Sequence, residues 1–318
     1  DYVRHGLMED PFFGDNYRKL FEYETCHVFY TVRFPWAEEP NGRDFLRFEG
    51  IDTVADVYLN GVKIGHAENM FIPHEFPASS LRRGENELLV ALGDGWHRST
   101  GGVDGDRDLF GDTLGVLFQL EVDGQAVCVS DNTMQATQGG PIRQNDMQQG
   151  EVYDARLEGE LTGWHGVRAY RDDLPILGMN TVPILEHEAF PGKLLQTPNG
   201  ETVLDFGQNL AGYVEMTLTA RAGQKVKLTC GEALNENGNF TQENFQDRTR
   251  HSEGGTAQML ELVCKEGKNH FKPSFTIMGF RYAKVETDAD LTDAVFTAHA
   301  VYSDMAVTGE FACGSGAV

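Results

Sequence analysis

Apolar and polar residues alternate along much of this chain, and short clusters of turn residues separate the alternating runs. In one run, Val28, Tyr30, Val32 and Phe34 share a single face. Residues 214–219 alternate in the same way later in the chain. A period of two places successive side chains on opposite faces of a strand, so each run predicts a strand with one buried face.

The dipeptide Asn60-Gly61 lies between two strand-like runs, residues 53–59 and 62–65. Asn-Gly favours the two-residue turn of a β-hairpin. Residues 83–86 predict another turn, so the predicted strands are short. Short strands at this spacing are typical of sandwiches and jelly rolls. We therefore predict an all-β chain of two consecutive β-sandwich or jelly-roll domains.

The predicted domains meet at a polar, proline-bearing boundary near residues 165–180. Residues 1–20 are polar and irregular, and we assign them to an N-terminal extension. The first domain is expected to span residues 21–170, and the second residues 178–296.

The formal net charge of the 318 residues is −23, and the sequence pI is near 4.7. A surface this acidic repels phosphate backbones and anionic lipids, so nucleic acid and membranes are poor partners. The negative charge does not affect the binding of a neutral sugar. In the alternative interpretation, the charge only keeps the protein soluble.

The five cysteines are widely spaced and odd in number, and they form no C-x-x-C pair. A disulfide framework or a thiolate zinc site is therefore not expected. No apolar run reaches the roughly 20 residues that a spanning helix needs, and no signal peptide precedes Asp1. These features together favour a cytoplasmic location.

The loop over residues 93–113 carries the best ligand candidates, Asp94, Trp96 and Arg98. An indole face stacks on the apolar face of a sugar, while Asp and Arg side chains hydrogen-bond to hydroxyls. In the alternative interpretation, Trp96 plugs the sandwich and Arg98 pairs with an acidic residue at the edge of the core.

Three acidic residues of the same loop, Asp104, Asp106 and Asp108, have the spacing of a calcium loop. Leu109 stands where such a loop needs Gly, and Gly115 where it needs Glu. We therefore interpret these carboxylates mainly as solvated loop charges. The scattered histidines form no zinc motif, which leaves zinc catalysis unsupported.

Residues 203–214 contain Asp-Phe-Gly-Gln-Asn-Leu-Ala-Gly, which resembles a motif of bacterial α-L-rhamnosidases. Further segments resemble the same family in the same order, namely 93–98, 150–156, 231–234, 271–276 and 279–282. Residues 10–92 are also similar to the sugar-binding domain of family-two β-glycosidases. Both likenesses imply that the first domain is a galactose-binding-like jelly roll.

The resemblance also implies an activity, namely hydrolysis of terminal α-L-rhamnose from glycosides with inversion. Residues 297–318 look like the family's linker into a helical (α/α)₆ barrel, which holds the two acidic residues that inversion requires. We expect that barrel outside this chain and assign no catalytic residue here. The expected partners are a rhamnose-containing carbohydrate and the chain's own C-terminal catalytic domain.

Some N-terminal modules of the family bind rhamnose with calcium. This chain has Gly65-His66-Ala67 where their motif often has Gly-Asp, and His-Ala supplies fewer oxygen ligands. Glu68 and Asn69 are the residues that could compensate, and we count both as candidate sugar contacts. No cofactor is otherwise required.

Two alternative functions stay open. The first is a free-standing carbohydrate-binding protein of two β-sandwiches. The second is a relative of the family-two β-glycosidases, which would require a TIM barrel after the sandwiches.

Overall fold

The computed structural model describes residues 28–37, 39–40, 44–101, 107–122, 125–170, 182–245, 257–310 and 312–314. Strands make up nearly all of its regular structure, which confirms the predicted all-β class. The predicted extension over residues 1–20 lies outside the described residues. None of the helices described is long and apolar enough to cross a membrane.

Two antiparallel sheets form the first sandwich. The six-stranded sheet has the order β12-β9-β1-β6-β3-β4, and the four-stranded sheet has the order β5-β2-β7-β8. The bounds of these strands are β1 Val28–Trp36, β2 Phe45–Asp52, β3 Val54–Leu59, β4 Val62–Ala67, β5 His74–Pro77, β6 Gly84–Gly93, β7 Gly115–Val122, β8 Gln125–Val129, β9 Gln135–Thr137 and β12 His165–Gly166.

The predicted hairpin at Asn60-Gly61 joins β3 to β4. Both turn residues have positive φ, 51° and 78°, as the two-residue hairpin turn with the twist of the flanking strands requires. The Asn60 side chain also donates to the Ser80 carbonyl at 2.7 Å and accepts from the Glu87 backbone at 3.1 Å. This side chain therefore links the turn to the loop before β6 and to β6 itself.

One ten-stranded sheet dominates the second half of the chain. Its main path is β10-β11-β19-β16-β21-β15-β22-β13, and β14 and β20 also pair with β15. The bounds are β10 Ile142–Asp146, β11 Gly150–Asp154, β13 Ile184–Pro191, β14 Lys193–Gln196, β15 Thr202–Ala220, β16 Lys225–Gly231, β19 Met259–Val263, β20 Gly267–Phe271, β21 Met278–Thr287 and β22 Val295–Ser303; β17 Ala233–Leu234 and β18 Phe240–Thr241 form a separate ribbon.

The strands of the second sheet differ from the predicted domain limits at both ends. The hairpin β10–β11 falls inside the predicted first domain, 21–170, but β11 pairs in parallel with β19. At the other end, residues 297–303 of the predicted linker belong to β22, which pairs with β15 and β13. Of the predicted linker, the described residues 304–310 and 312–314 lie outside the sheet.

Strand β15 contains the Asp-Phe-Gly-Gln-Asn motif at an irregularity in its pairing with β21. The Asp205 carboxylate accepts from the Gly207 backbone at 2.7 Å and from the Arg281 guanidinium at 3.0 and 3.1 Å. Gly207 has φ +89°, which favours glycine. Asp205 and Gly207 of the motif therefore stabilise the irregular segment of β15.

Phe275 joins the two halves of the molecule. Its buried ring lies after β20 and packs in one cluster with Phe29, Val54 and Ala91 of the first sandwich. Each half also has its own apolar core. The shared cluster stabilises the arrangement of the two halves, because separating them would expose its apolar surface to water.

Glu151 of β11 lies fully buried beside that cluster. Its Oε2 accepts from the backbone N–H groups of Ser274 and Phe275 at 3.1 and 3.0 Å, whereas Oε1 has no hydrogen-bond partner. Burial raises the pKa of Glu151 to about 8, although the two backbone donors oppose this shift. The carboxyl group is therefore mostly protonated at neutral pH.

We expect Phe275→Ala to lower the free energy of unfolding by about 3–5 kcal/mol, because it leaves a cavity in the shared cluster. Urea titration followed by circular dichroism measures this change. The matched control is Phe71→Ala, which removes an exposed ring and should cost no more than about 0.5 kcal/mol. Equal losses for the two variants would contradict the assigned role of Phe275.

We expect Glu151→Gln to change how stability depends on pH. The unfolded carboxyl titrates near pH 4.5 and the native one near pH 8, so the native state holds an extra proton between these values. Wild-type stability should therefore fall relative to the variant from about pH 4.5 to pH 8, by on the order of a few kcal/mol, and level off above pH 8. Unfolding curves at five pH values measure the difference, and a constant difference would refute the assignment.

Candidate functional site

The loop with the predicted ligand residues begins where β6 ends. A short helix, α1 (Gly95–Arg98), follows Asp94 directly. Gly95 has φ +51°, and a Cβ there would lie 2.5 Å from the Thr53 Cβ. Close packing of this turn against Thr53 therefore sets the direction of the helix.

Two buried carboxylates and two arginines hold the loop in place. Asp94 Oδ1 accepts from Arg98 Nε at 2.8 Å and from Arg98 Nη2 at 2.6 Å. Arg107 bridges the two acids, with Nη2 3.1 Å from Asp94 Oδ2 and Nη1 2.8 Å from Asp146 Oδ2. The four charges cancel, which limits the cost of burying them.

Asp146 gathers five donors around one carboxylate. Besides Arg107, its Oδ2 accepts from the backbone and the hydroxyl of Thr100 at 2.8 and 2.9 Å. Its Oδ1 accepts from the backbones of Gln148 and Gln149, both at 2.8 Å. The carboxylate thereby connects the α1 loop to the hairpin β10–β11.

The predicted sugar contacts Asp94 and Arg98 are buried in this network. Their hydrogen bonds go to protein groups, and their side chains offer almost no surface to a ligand, so the structure gives both a structural role. Trp96 is different, because its side chain is 51% exposed. The indole does not plug the sandwich.

Glu68 and Asn69 follow β4 and are both half-buried. Glu68 Oε1 lies 3.0 Å from Nε2 of His66, whose Nδ1 lies 2.6 Å from Asp56 Oδ1. Burial opposes a charge on His66, but the hydrogen bonds and charges of the two acids raise its pKa to about 9. Asn69 Oδ1 accepts from the Phe71 backbone at 2.9 Å. Their role as sugar contacts remains a prediction.

Of the predicted cation cluster, Asp104 and Asp106 lie outside the described residues. Asp108 is half-buried and has φ +60°. The described part of the chain contains no group of three His, Cys, Asp or Glu residues arranged to hold a metal ion. Calcium binding at this loop remains a prediction.

Four exposed aromatic residues belong to segments that lie near the end of β2, and we call them the aromatic edge. They are Phe71, Trp96, Phe110 and Tyr170, with exposed fractions of 73%, 51%, 62% and 73%. Only Trp96 is a candidate from sequence. The other three come from separate segments, and a local pattern carries no signal that folding brings them together.

Asp52 and His97, which adjoins Trp96, form a close acid–histidine pair. Asp52 Oδ2 lies 3.0 Å from His97 Nε2, while His97 Nδ1 is buried without a hydrogen-bond partner. Burial raises the pKa of Asp52, although the hydrogen bond from Thr53 and the charges of His97 and Arg98 oppose the shift. Polar atoms therefore lie beside the exposed rings.

A second polar cluster lies on the outer face of the second sheet. The Glu215 carboxylate contacts His270 Nε2 at 2.5 Å and His299 Nε2 at 2.7 Å. Glu186 nearby contacts Lys272 at 2.7 Å and accepts from the Tyr213 hydroxyl. Acid and base are matched throughout this cluster, so each group already has a protein partner.

Comparison with known proteins adds three domain-family matches. Residues 195–302 match the bacterial alpha-L-rhamnosidase concanavalin-like domain, and residues 78–190 match the alpha-L-rhamnosidase N-terminal domain. Residues 1–103 match the glycosyl hydrolase 2 galactose-binding domain-like family. All three families describe domains of glycoside hydrolases.

Individual relatives agree with these matches. An alpha-L-rhamnosidase of Formosa agariphila is 30% identical over 292 residues, which cover 81% of this chain and 30% of that protein. The structure of the Aspergillus terreus α-L-rhamnosidase superimposes with a TM-score of 0.75 at 25% identity, covering 91% of this chain and 36% of that one. The Streptomyces avermitilis enzyme, solved with L-rhamnose, gives 0.73 at 23% identity, covering 88% and 29%, and supports the fold.

These findings define the class of protein first: over most of its length, the chain is similar to β-domains of glycoside hydrolases. Within that class it is homologous to the α-L-rhamnosidases, which confirms both resemblances seen in the sequence. The chain spans about a third of the length of the first of these relatives.

We expect Asp146→Ala to cost about 3–5 kcal/mol of stability, because Arg107 Nη1 and four other donors lose their acceptor and one positive charge of the buried network is left unbalanced. The matched control is Asp131→Ala, whose carboxylate accepts only from Thr133 in an exposed turn, and about 1 kcal/mol or less is expected for it. Urea unfolding measures both changes. Cleavage within residues 99–113 by a limiting amount of protease should also become faster in Asp146→Ala alone. Similar losses in both variants would contradict the anchoring role.

Proposed function

We propose that this chain is the non-catalytic β-domain region of an α-L-rhamnosidase. In the proposal, its sandwiches support and orient a helical catalytic barrel outside residues 1–318, which removes terminal α-L-rhamnose with inversion. The single observation that carries it is the order of two rhamnosidase domains, 78–190 followed by 195–302.

The chemistry of the described carboxylates supports the non-catalytic role. An inverting pair needs one acid and one base about 6.5–9.5 Å apart on either side of a sugar and a water. The fully buried acids Asp94, Asp146 and Glu151 instead accept hydrogen bonds from arginines or backbone groups. Such groups hold the fold together and have no free face for a substrate.

The way the two halves are joined supports a scaffold. The parallel pairing of β11 with β19 and the burial of Phe275 in the first sandwich fix the halves against each other. A rigid base reduces the entropy lost when a neighbouring domain or a long substrate is positioned. The proposed partners are that catalytic domain and a rhamnose-containing carbohydrate.

A stand-alone carbohydrate-binding protein is the second candidate. The aromatic edge favours it, because exposed rings on a rigid surface suit sugar binding whether or not a catalytic domain is attached. The two candidates differ in whether the longer protein cleaves a rhamnoside.

We expect the purified 318-residue chain to release no nitrophenol from p-nitrophenyl α-L-rhamnoside, because the proposal assigns the catalytic pair to the barrel outside these residues. The longest open reading frame that contains the chain should hydrolyse it, and proton NMR should show β-L-rhamnose as the first product. Turnover by the 318 residues alone would contradict the non-catalytic role. Inactivity of the longer protein on this and on natural rhamnosides would favour the stand-alone binder.

A further inference from the structure

We propose that a protruding pair of strand ends on the second sheet is the docking surface for the catalytic domain of the longer protein. We call these residues, 182–188 and 301–307, the exit ribbon. The inference rests on the proposed function, which assigns a catalytic domain to polypeptide outside residues 1–318. The ribbon supplies an apolar contact that fixes the position of that domain against the sandwiches.

The exit ribbon extends past the main body of the second sheet. The register of β22 with β15 ends at Ala300, whereas its register with β13 continues to Ser303. Leu185 and Tyr302 are partners in this extension, as are Ile184 and Ser303. The last residues of β22 therefore pair with β13 beyond the part of β22 that β15 covers.

One face of the ribbon continues the apolar face that forms the core of the second half. Phe296, Ala298 and Ala300 alternate along β22 and are buried in that core. Tyr302 is the next residue on the same face, because side chains two positions apart on a strand point the same way. Tyr302 is 47% exposed, and its partner Leu185 is 46% exposed. The inner face of the sheet therefore continues into solvent.

Exposed apolar side chains are concentrated on the exit ribbon. Of the eighteen large apolar side chains that the described residues expose, six belong to it: Val182, Ile184, Leu185, Tyr302, Met305 and Val307. An exposed apolar patch of this kind marks a place where another molecule or domain binds. Burying it in a contact would be favourable, because apolar surface would leave water.

Contacts within the ribbon hold these side chains in place. The Tyr302 ring stacks on the His187 ring, with centroids 3.6 Å apart, and its hydroxyl donates to Glu188 Oε1 at 2.9 Å. The Asp304 backbone donates to the Pro183 carbonyl at 2.8 Å, so the polypeptide that leaves the sheet begins against the ribbon. A surface that is ordered before contact loses little conformational entropy on docking.

A covalently linked domain fits the ribbon better than a separate molecule does. Separate proteins that associate stably bury about 800 Å² per partner, which is more than two strand ends provide. A covalent link lowers this requirement, because it holds the attached domain at a high effective concentration. The link is direct here, since residues 304–310 continue from the ribbon and are exposed.

Charge disfavours a second copy of this chain as the occupant. Each copy carries a net charge of −23, so two copies repel each other. Pairing two β13 strands edge to edge would also bring Glu186 and Glu188 of both copies close together. The chain spans about a third of the length of its Formosa agariphila relative, which leaves room for an attached domain in the longer protein. An attached domain with an apolar face is therefore the occupant that we assign.

The test compares hydrogen exchange in the 318-residue chain and in the product of the longest open reading frame that contains it. Mass spectrometry of peptides gives the exchange rates of residues 184–187 and 304–310. We expect the amides of both stretches to exchange about ten-fold more slowly in the longer protein, because docking shields residues that are exposed in the 318-residue chain.

In the longer protein, Leu185→Lys should restore most of the fast exchange of residues 304–310, because an apolar contact cannot bury a lysine ammonium without a partner. Met305→Lys should do the same for residues 184–187, so each variant is measured on the segment that it leaves unaltered. The matched control is Val62→Lys, which changes an exposed valine of the edge strand β4 and should leave both rates as in wild type. All three variants of the 318-residue chain should keep a thermal midpoint near wild type, because the three positions are exposed.

Equal exchange in the two proteins would overturn the docking surface. Protection that Leu185→Lys leaves intact, or that Val62→Lys also removes, would overturn it as well, since the ribbon would not be the source of the protection. A concentration-dependent dimer of the 318-residue chain that Leu185→Lys abolishes would overturn the assigned occupant and identify the ribbon as a contact between copies.

The docking surface and the proposed function can fail separately. Rhamnoside hydrolysis by the longer protein without protection of the ribbon would contradict the docking surface alone. Protection that Leu185→Lys removes, in a longer protein that cleaves no rhamnoside, would uphold the docking of an attached domain and contradict the rhamnosidase assignment.

Discussion

The Asp146 carboxylate is the constraint on which the arrangement of this protein depends. It is fully buried, and its donors come from Thr100 and Arg107 on one side and from Gln148 and Gln149 on the other. One set belongs to the loop after β6, and the other turns the hairpin β10–β11. Because a buried carboxylate cannot be left without donors, the loop and the hairpin must form together.

The hairpin β10–β11 also connects the two halves of the molecule. Strand β11 pairs with β19, Glu151 on β11 accepts from the Phe275 backbone, and Phe275 fills a cluster of the first sandwich. Strand β11 therefore hydrogen-bonds to the second half of the chain, and Phe275, which Glu151 holds in place, packs against the first half. Homologous glycoside hydrolases share this fold over most of the chain, as the superposition on the Aspergillus terreus enzyme shows.

A rigid joint of this kind suits the proposed work of the region. A surface that contacts a sugar gains affinity when its rings are held in place beforehand, and the network below α1 holds Trp96 in that way. The net charge of −23 disfavours contact with anionic molecules and leaves contact with neutral ones unaffected. The proposed support of a catalytic domain depends on these buried ion pairs.

The sequence by itself determined the features that depend on neighbouring residues: alternating strands, the Asn60-Gly61 hairpin, and the motif order that indicates α-L-rhamnosidases. Only the tertiary structure decided which strand the hairpin β10–β11 pairs with, because Gly150 pairs with Met259, which lies more than a hundred residues later in the chain. It also decided that Asp94 and Arg98 turn inward while Trp96, between them, faces solvent. Burial is set by the neighbours that folding brings, and no local pattern encodes which distant residues those will be.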